Sequence, residues 1–336
     1  MPDNAKSWST LAASVLKARP EDAFSTLPEG AEAGTPMIQP LYSVEGPWNI
    51  KDPVHECLTR RALSTARYSE ANPKHPGFSN FIRGAIWNDD PECLMFDRGG
   101  APDDFSSGIT FAWVFWEARR AARLQAPGPH DRLTARSHFG DLQFLHAMGS
   151  RPGEGPEVTL EAVLRWMRFS FAIARGELGG MIRLCEVRLP GISELFPRQA
   201  GMTISELFAV HRATDGVSER AAGCLMHLLQ DAFASAHVER EQGANGRRGR
   251  IKCFYTYGSQ DSGLHSENDG WQCGGTEDER LARVVGAADA IEQGAELLKR
   301  LKQGKSWQRV EAWLRSGPLS LAPDARPSDG GAVYRT

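Results

Sequence analysis

The sequence predicts an all-α fold, a single compact domain in which many helices pack around one core. Helical patterns of apolar residues occur at 160–175, 204–210 and 277–303, and no segment shows the strong alternation of apolar and polar residues that is typical of a half-buried strand. The chain also has 336 residues and 41% hydrophobic content, which is enough to bury a substantial core. The fold is therefore expected to be mainly helical.

Three regions differ in composition. Residues 1–46 combine one short amphipathic helix with a segment rich in Pro, Gly and Glu, which indicates an N-terminal arm or leader. Residues 47–316 contain the main helical patterns and form the predicted helical domain. Residues 317–336 are rich in Pro and Gly, and they are predicted to be a flexible C-terminal tail.

The composition disfavours several classes of protein. A net charge of -3 gives no overall basic field of the kind that attracts nucleic acid, although a local basic patch could still do so. No apolar run reaches the length of about 18 residues that indicates a transmembrane helix. The apolar segment 11–16 is too short for a convincing secretory signal. The protein is expected in the cytoplasm, or exported without a recognisable signal peptide.

The six cysteines are scattered and form no CxxC motif, which is typical of reduced thiols in the cytosol. Cys253 and Cys273 could pair if the protein were exported.

The segment 224–240, CLMHLLQDAFASAHVER, is predicted to be one helix that carries metal ligands. His227 and Asp231 are four residues apart, so they lie on one helical face and could bind the same ion. His237 would lie roughly 80° around the helix and face a neighbouring volume. The alternative is that these polar side chains are satisfied by hydrogen bonds within a helical core.

Further potential ligands lie on both sides of this segment. His265 and Asp269 repeat the spacing of His227 and Asp231. Upstream candidates are His55 on a helix predicted from Asp52 to about Arg67, Asp89 in the sequence WNDD with Asp90 as its alternative, and His138. Nitrogen and oxygen donors without paired cysteines are typical of hydrolytic zinc sites, because structural zinc is usually held by closed, cysteine-rich sets.

The spacing in 226–237 together with 265–269 resembles a known family, the zinc-dependent phospholipase C and fungal single-strand nuclease superfamily. That family carries a helix with His-x3-Asp-x5-His, followed by a short segment with His-x3-Glu or His-x3-Asp. The resemblance extends more loosely from about Trp48 to Asp269. It implies a compact multi-helix fold that binds two or three zinc ions between its helices.

The resemblance also implies a role for each candidate ligand. One ion would be bound by Asp89, His138, His227 and Asp231, and a second by His237, His265 and Asp269. A third ion would be bound by His55 and would share Asp231, so that Asp89 and Asp231 are the carboxylates closest to the chemistry. In this scheme His146 is a core or supporting histidine, and Asp141 orients a neighbouring imidazole.

The implied function is that of a zinc-dependent phosphoric diester hydrolase. The first hypothesis is a phospholipase C, which would use a metal-activated water to cleave phospholipids into diacylglycerol and a phosphorylated headgroup, with transient contact to a membrane surface. The second is a single-strand nuclease or nucleotidase, and the third is a helical protein with structural metals. The aromatic segment FAWVFWEA and the acidic pI favour a lipid substrate.

One feature departs from the family. The third ion is usually held there by the amino group of an N-terminal Trp, whereas Trp48 of this chain follows 47 other residues. We expect those residues to be retained, because they lack a convincing signal. The amide of Trp48 then cannot serve as an amine ligand.

Overall fold

The computed structural model describes residues 54–94, 105–209, 216–243, 246–260, 265 and 275–331. The described chain is mainly helical, as predicted, and it contains one two-stranded antiparallel sheet. The helices are α1 (Val54–Thr65), α2 (Phe78–Trp87), α3 (Phe105–Ala122), α4 (Leu133–Phe139), α5 (Pro156–Ala174), α6 (Ile204–Leu207), α7 (Val217–Asp231), α8 (Glu277–Arg283), α9 (Ala287–Lys302) and α10 (Trp307–Ser316). The strands are β1 (Val238–Gln242) and β2 (Arg248–Phe254). Among the described helices, none is both long and apolar enough to cross a membrane.

Helices α2 and α7 touch along their backbones, and this contact is made by two glycines. A Cβ atom added to Gly84 would lie 2.0 Å from the carbonyl oxygen of Arg220, and one added to Gly223 would lie 2.1 Å from that of Phe81. No other residue fits at either position without displacing a helix. The close crossing brings the C-terminal end of α2, which leads to Asp89, against the middle of α7.

Large apolar side chains hold this helix pair from the other sides. Trp87, the last residue of α2, stacks on Trp166 of α5 at 5.4 Å between ring centroids, and its Nε1 donates a hydrogen bond to the Leu207 carbonyl. On another side, a Cβ on Gly294 of α9 would meet the Met226 side chain at 2.2 Å. The core is therefore continuous around α7.

The predicted helix over 224–240 ends at Asp231, and this part of the prediction is wrong. The chain turns at 232–237 and enters β1, which pairs with β2 in the register Val238 to Phe254 and Gln242 to Arg248. Arg240 is buried and stabilises this turn, since its guanidinium donates to the carbonyl groups of Ala232, Gly249 and Pro318. The Gly-rich and basic sequence of 241–252 predicts a loop, but its residues 241–242 and 248–252 belong to the two strands of a β-hairpin.

Two other predicted segments differ from the structure. The single helix expected over 277–303 is divided into α8, which ends at Arg283, and α9, which begins after Gly286. Gly286 has a φ of +85°, and a Cβ there would meet the Phe233 carbonyl oxygen at 2.3 Å. The Gly, Asp and Ser residues of 96–109 predict a loop, but helix α3 already begins at Phe105.

Much of the predicted flexible tail is packed against β2. Leu321 and Asp329 form parallel bridges with Ile251 and Tyr255, and Leu319 is fully buried. Residues 332–336, and the predicted arm 1–46, lie outside the described residues.

The described cysteines are free thiols, Cys253 among them, and Cys273 lies outside the described part.

Candidate metal centre

Six imidazoles and two carboxylates converge beside the crossing of α2 and α7, and none of them is more than 2% exposed. They come from α1, the end of α2, α4, the turn 143–146, α7, the turn before β1 and the segment after β2. The residues are His55, Asp89, His138, His146, His227, Asp231, His237 and His265. The structure therefore brings together seven of the eight predicted ligands; the eighth, Asp269, lies outside the described residues.

Three donor atoms at the centre of this cluster, from His146, His227 and Asp231, are spaced as the ligands of one ion would be, and an oxygen of Asp89 lies beside the two nitrogens. Asp231 Oδ2 lies 2.9 Å from His227 Nε2 and 3.0 Å from His146 Nδ1, and these two nitrogens are 3.2 Å apart. Asp89 Oδ1 is 3.8 Å from His146 Nδ1 and 4.0 Å from His227 Nε2. Tetrahedral zinc with bonds of about 2.0 Å separates its ligand atoms by about 3.3 Å. We call these four residues the inner set.

Asp231 presents its two oxygens to different imidazoles. While Oδ2 faces the inner set, Oδ1 lies 3.3 Å from Nε2 of His55. The His55 ring stacks on that of His227 with 3.8 Å between centroids. This arrangement is the one that a carboxylate shared between two ions requires.

Five imidazoles are held in one tautomer by a hydrogen bond from Nδ1. The acceptor is a backbone carbonyl for three of them and a glutamine Oε1 for two, and because each oxygen can only accept, Nδ1 carries the proton and Nε2 is left to bind a metal. The pairs are His227 with Ala85 (2.6 Å), His138 with Thr134 (2.9 Å), His237 with His146 (2.9 Å), His55 with Gln230 (2.6 Å) and His265 with Gln260 (2.6 Å). Such anchoring of the second ring nitrogen is usual for metal-bound histidines.

His146 is the functional candidate that sequence reasoning missed, since it was expected to be a core or supporting histidine. Its Nδ1 belongs to the inner set, and it also groups with Asp89 and His138. Its buried Nε2 makes no hydrogen bond within the described part of the chain. The next residue, Ala147, has a φ of +50°, a strained conformation for a residue with a side chain. The only sequence signal was its position eight residues after His138.

A second group of rings lies on the hairpin side of the cluster. His237 and His265 stack with 5.0 Å between centroids, and the Tyr257 ring lies 4.9 Å from that of His265. Tyr257 also lies 5.9 Å from His138 and 6.0 Å from His146, so this buried ring contacts four imidazoles. Tyr257 carried no sequence signal. His237 reaches this position from the turn rather than from a helical face.

Two predicted supporting roles differ from the structure. Asp141 does not orient an imidazole; it forms a two-pronged ion pair with the buried Arg136, with both contacts at 2.8 Å. Asp90, the alternative to Asp89, accepts a hydrogen bond from the backbone N–H of Leu94 at 2.7 Å. Asp90 therefore closes the turn after α2, whereas Asp89 joins the cluster.

The electrostatics place His138, His146, His227 and Asp231 in their metal-binding protonation states at neutral pH. Burial lowers the pKa of His227 to about 3, and it lowers those of His138 and His146 as well. Burial alone would raise the pKa of Asp231, but the imidazoles of His227, His237 and His55 outweigh it and hold that pKa well below its usual value. Neutral imidazoles and an ionised carboxylate are the forms that bind divalent metals.

The described residues thus offer several groups of three donors that could hold an ion, and each group lies within 4.8 Å. Comparisons with protein-family models, curated proteins and solved structures find nothing that matches this chain.

Proposed function

We propose that this protein is a zinc-dependent phosphoric diester hydrolase of the phospholipase C and single-strand nuclease type, and that phospholipids are its substrates. The observation that carries the proposal is the inner set, in which the donor atoms of His146, His227 and Asp231 lie 2.9–3.2 Å apart and Asp89 lies beside the two imidazoles. Structural stability alone does not require so many buried ionisable groups at one point, because each of them is costly to bury without a partner.

The donors fit zinc by their chemistry. Imidazole nitrogen and carboxylate oxygen suit this ion, and five of the six imidazoles leave Nε2 to bind it because Nδ1 donates to an oxygen. Asp89, His146, His227 and Asp231 would hold one ion. His55 would hold another together with Asp231, and the pair His237 and His265 would contribute to a further site. When bound, zinc lowers the pKa of water toward 7 and neutralises phosphate charge.

The protein's own residues supply position and charge. Asp231 fixes two neighbouring imidazoles with its two oxygens, so it sets the spacing between two sites. Asp89 is the most distant member of the inner set, at 3.8 and 4.0 Å from the two imidazole nitrogens, and its carboxylate would accept a hydrogen bond from a nucleophilic water. The anchored Nδ1 atoms keep the imidazoles oriented without reorganisation.

Hydrolysis assays on the purified, zinc-loaded protein test this proposal. The substrates are phosphatidylcholine and phosphatidylethanolamine beside single-stranded DNA and RNA, each with and without a chelator. We expect chelator-sensitive release of diacylglycerol that zinc restores. Hydrolysis of the nucleic acids alone would identify a nuclease. Stoichiometric zinc without hydrolysis of any substrate would indicate structural metals and would contradict the proposal.

A further inference from the structure

The outer face of α3 carries an exposed stripe of aromatic and aliphatic side chains. Trp113, Trp116, Arg120 and Leu124 recur every three or four residues, so they lie along one side of the helix and of the turn that follows it. Leu124 is 91% exposed and Trp113 is 37% exposed, and both are among the most exposed large hydrophobic residues of the described chain. We call these four residues the α3 stripe.

The opposite face of α3 packs beside the candidate metal centre. Val114 and Ala118 are buried there. The Phe115 ring contacts the edge of the His138 ring with 4.9 Å between centroids, and it lies 5.1 Å from Phe139. One helix therefore presents the α3 stripe on its outer side and borders the cluster on its inner side.

The stripe is also locally basic, although the whole chain is acidic. Arg119, Arg120 and Arg123 accompany a single acidic residue, Glu117, between positions 113 and 124. The Arg120 guanidinium lies over the Trp116 ring, 5.7 Å from its centroid. Trp113 and Leu124 are exposed, Trp116 between them is half-buried, and arginines flank all three. This is the composition of helices that lie at a membrane interface, where arginines are attracted to anionic lipids.

We propose that the α3 stripe docks the protein on an anionic phospholipid surface and so presents the metal centre to lipid headgroups. This inference rests on the proposed lipid substrate and adds the surface that meets it. A single-stranded nucleic acid fits the stripe less well, because bases need open aromatic faces. One face of Trp116 is covered by Arg120, and Leu124 offers an aliphatic side chain that inserts among acyl chains instead.

Vesicle co-sedimentation of the full chain tests the docking separately from catalysis. The protein is treated with a chelator so that no lipid is consumed, and it is mixed with phosphatidylcholine vesicles with or without phosphatidylglycerol. We expect stronger binding to the anionic vesicles. The double variant Arg120→Glu, Arg123→Glu should weaken that binding about tenfold or more. The double variant Trp113→Ala, Trp116→Ala should weaken binding to both vesicle types.

Two exposed positions on other helices provide matched controls. Leu124→Asp should also weaken binding to both vesicle types, and Val158→Asp on α5 is its control, since Val158 is 61% exposed. Arg309→Glu on α10 is the control for the arginine variants. The controls should bind vesicles as the unmodified protein does. Equal binding by the stripe variants and the controls would overturn the docking proposal, as would stripe variants that lose single-stranded DNA binding but keep vesicle binding.

Hydrolysis of a monomeric, short-chain phospholipid separates this inference from the proposed function. The stripe variants should retain that hydrolysis, because it needs no membrane surface. If the unmodified protein cleaves the monomeric lipid but does not bind vesicles, the docking proposal is wrong and the enzymatic one stands. If it binds vesicles through the stripe but cleaves no lipid, the enzymatic proposal is wrong and the docking stands.

Discussion

Gly223→Ala should damage both the stability of the protein and its metal centre, because this glycine lies where α7 touches α2. The added Cβ would lie 2.1 Å from the carbonyl oxygen of Phe81 and 2.7 Å from the backbone nitrogen of Ala85. These are backbone atoms, so no side chain can rotate away and the helices must separate by about 1 Å. Such overpacking costs about 1–3 kcal/mol. The better helix propensity of alanine returns about 1 kcal/mol, which leaves a net loss of about 2 kcal/mol at the upper end.

Gly223→Ala should lower the affinity for zinc more than it lowers the free energy of unfolding. The Ala85 carbonyl, one turn from the crossing, accepts the Nδ1 hydrogen bond of His227 at 2.6 Å. Separation of the helices lengthens this bond and moves Asp89 away from Asp231. Loss of a supporting hydrogen bond of this kind typically weakens metal binding by about 10–100-fold.

Urea denaturation and a competitive zinc titration measure the two effects separately. Gly201→Ala is the matched control, because no heavy atom lies within 4 Å of its Cβ position. This control should change the free energy of unfolding by less than about 0.5 kcal/mol and leave zinc affinity unchanged. A Gly223→Ala protein with the stability and zinc affinity of the control would refute the proposed role of the helix crossing.

Three further predictions concern the cluster itself. His146→Ala should lose at least one zinc equivalent in metal analysis of a protein that otherwise binds two to three, whereas His130→Ala, at an exposed position, should lose none. Asp231→Asn should abolish hydrolysis more completely than Asp269→Asn, since the two oxygens of Asp231 face different imidazoles. Comparable residual rates of hydrolysis in the two variants would count against a carboxylate of Asp231 shared between two ions. In the metal-free protein, the free energy of unfolding should fall as pH drops from about 6.5 toward about 3. Burial lowers the pKa of His227 to about 3, so this histidine stays neutral in the folded protein. In the unfolded chain the same histidine takes up a proton, which favours unfolding. The slope approaches about 1.4 kcal/mol per pH unit for each such histidine, and a urea titration series with no slope in this range would contradict the assigned burial.

The helical part of the fold could be predicted because its signals are local. The sequence identified α1 and α5 close to their observed bounds. The hairpin was missed because β1 has only five residues. One of its buried positions is Arg240, and a charged residue there hides the alternation of apolar and polar residues that predicts a strand. Burial of that side chain depends on the carbonyl of Pro318, 78 residues away, and no local pattern contains this information.

The candidate site, like the fold, could be predicted only where its residues are close in sequence. His227 and Asp231 were found because one helix sets their spacing, and their contact at 2.9 Å follows from that spacing. His146 was missed because its partner Asp231 is 85 residues distant and its own turn has no regular period. His237 was correctly expected near the cluster, but the geometric reason was wrong, since the helix ends six residues before it.

The fold holds the donor groups of the candidate metal centre in place, and this preorganisation links the helix crossing to the site. The two glycines bring the helix backbones together, and the resulting proximity lets the Ala85 carbonyl of α2 orient His227 of α7. Burial keeps the His227 imidazole neutral, because it lowers the pKa of the ring. The same burial excludes water that could compete with the Ala85 carbonyl for the Nδ1 proton, so it also keeps the ring oriented. The cost of burying Asp231 among such rings is high without a cation, and a divalent ion between them would offset that cost directly. If the proposed function is right, a metal would meet donor groups that the fold already holds in place, and binding energy could be spent on the substrate.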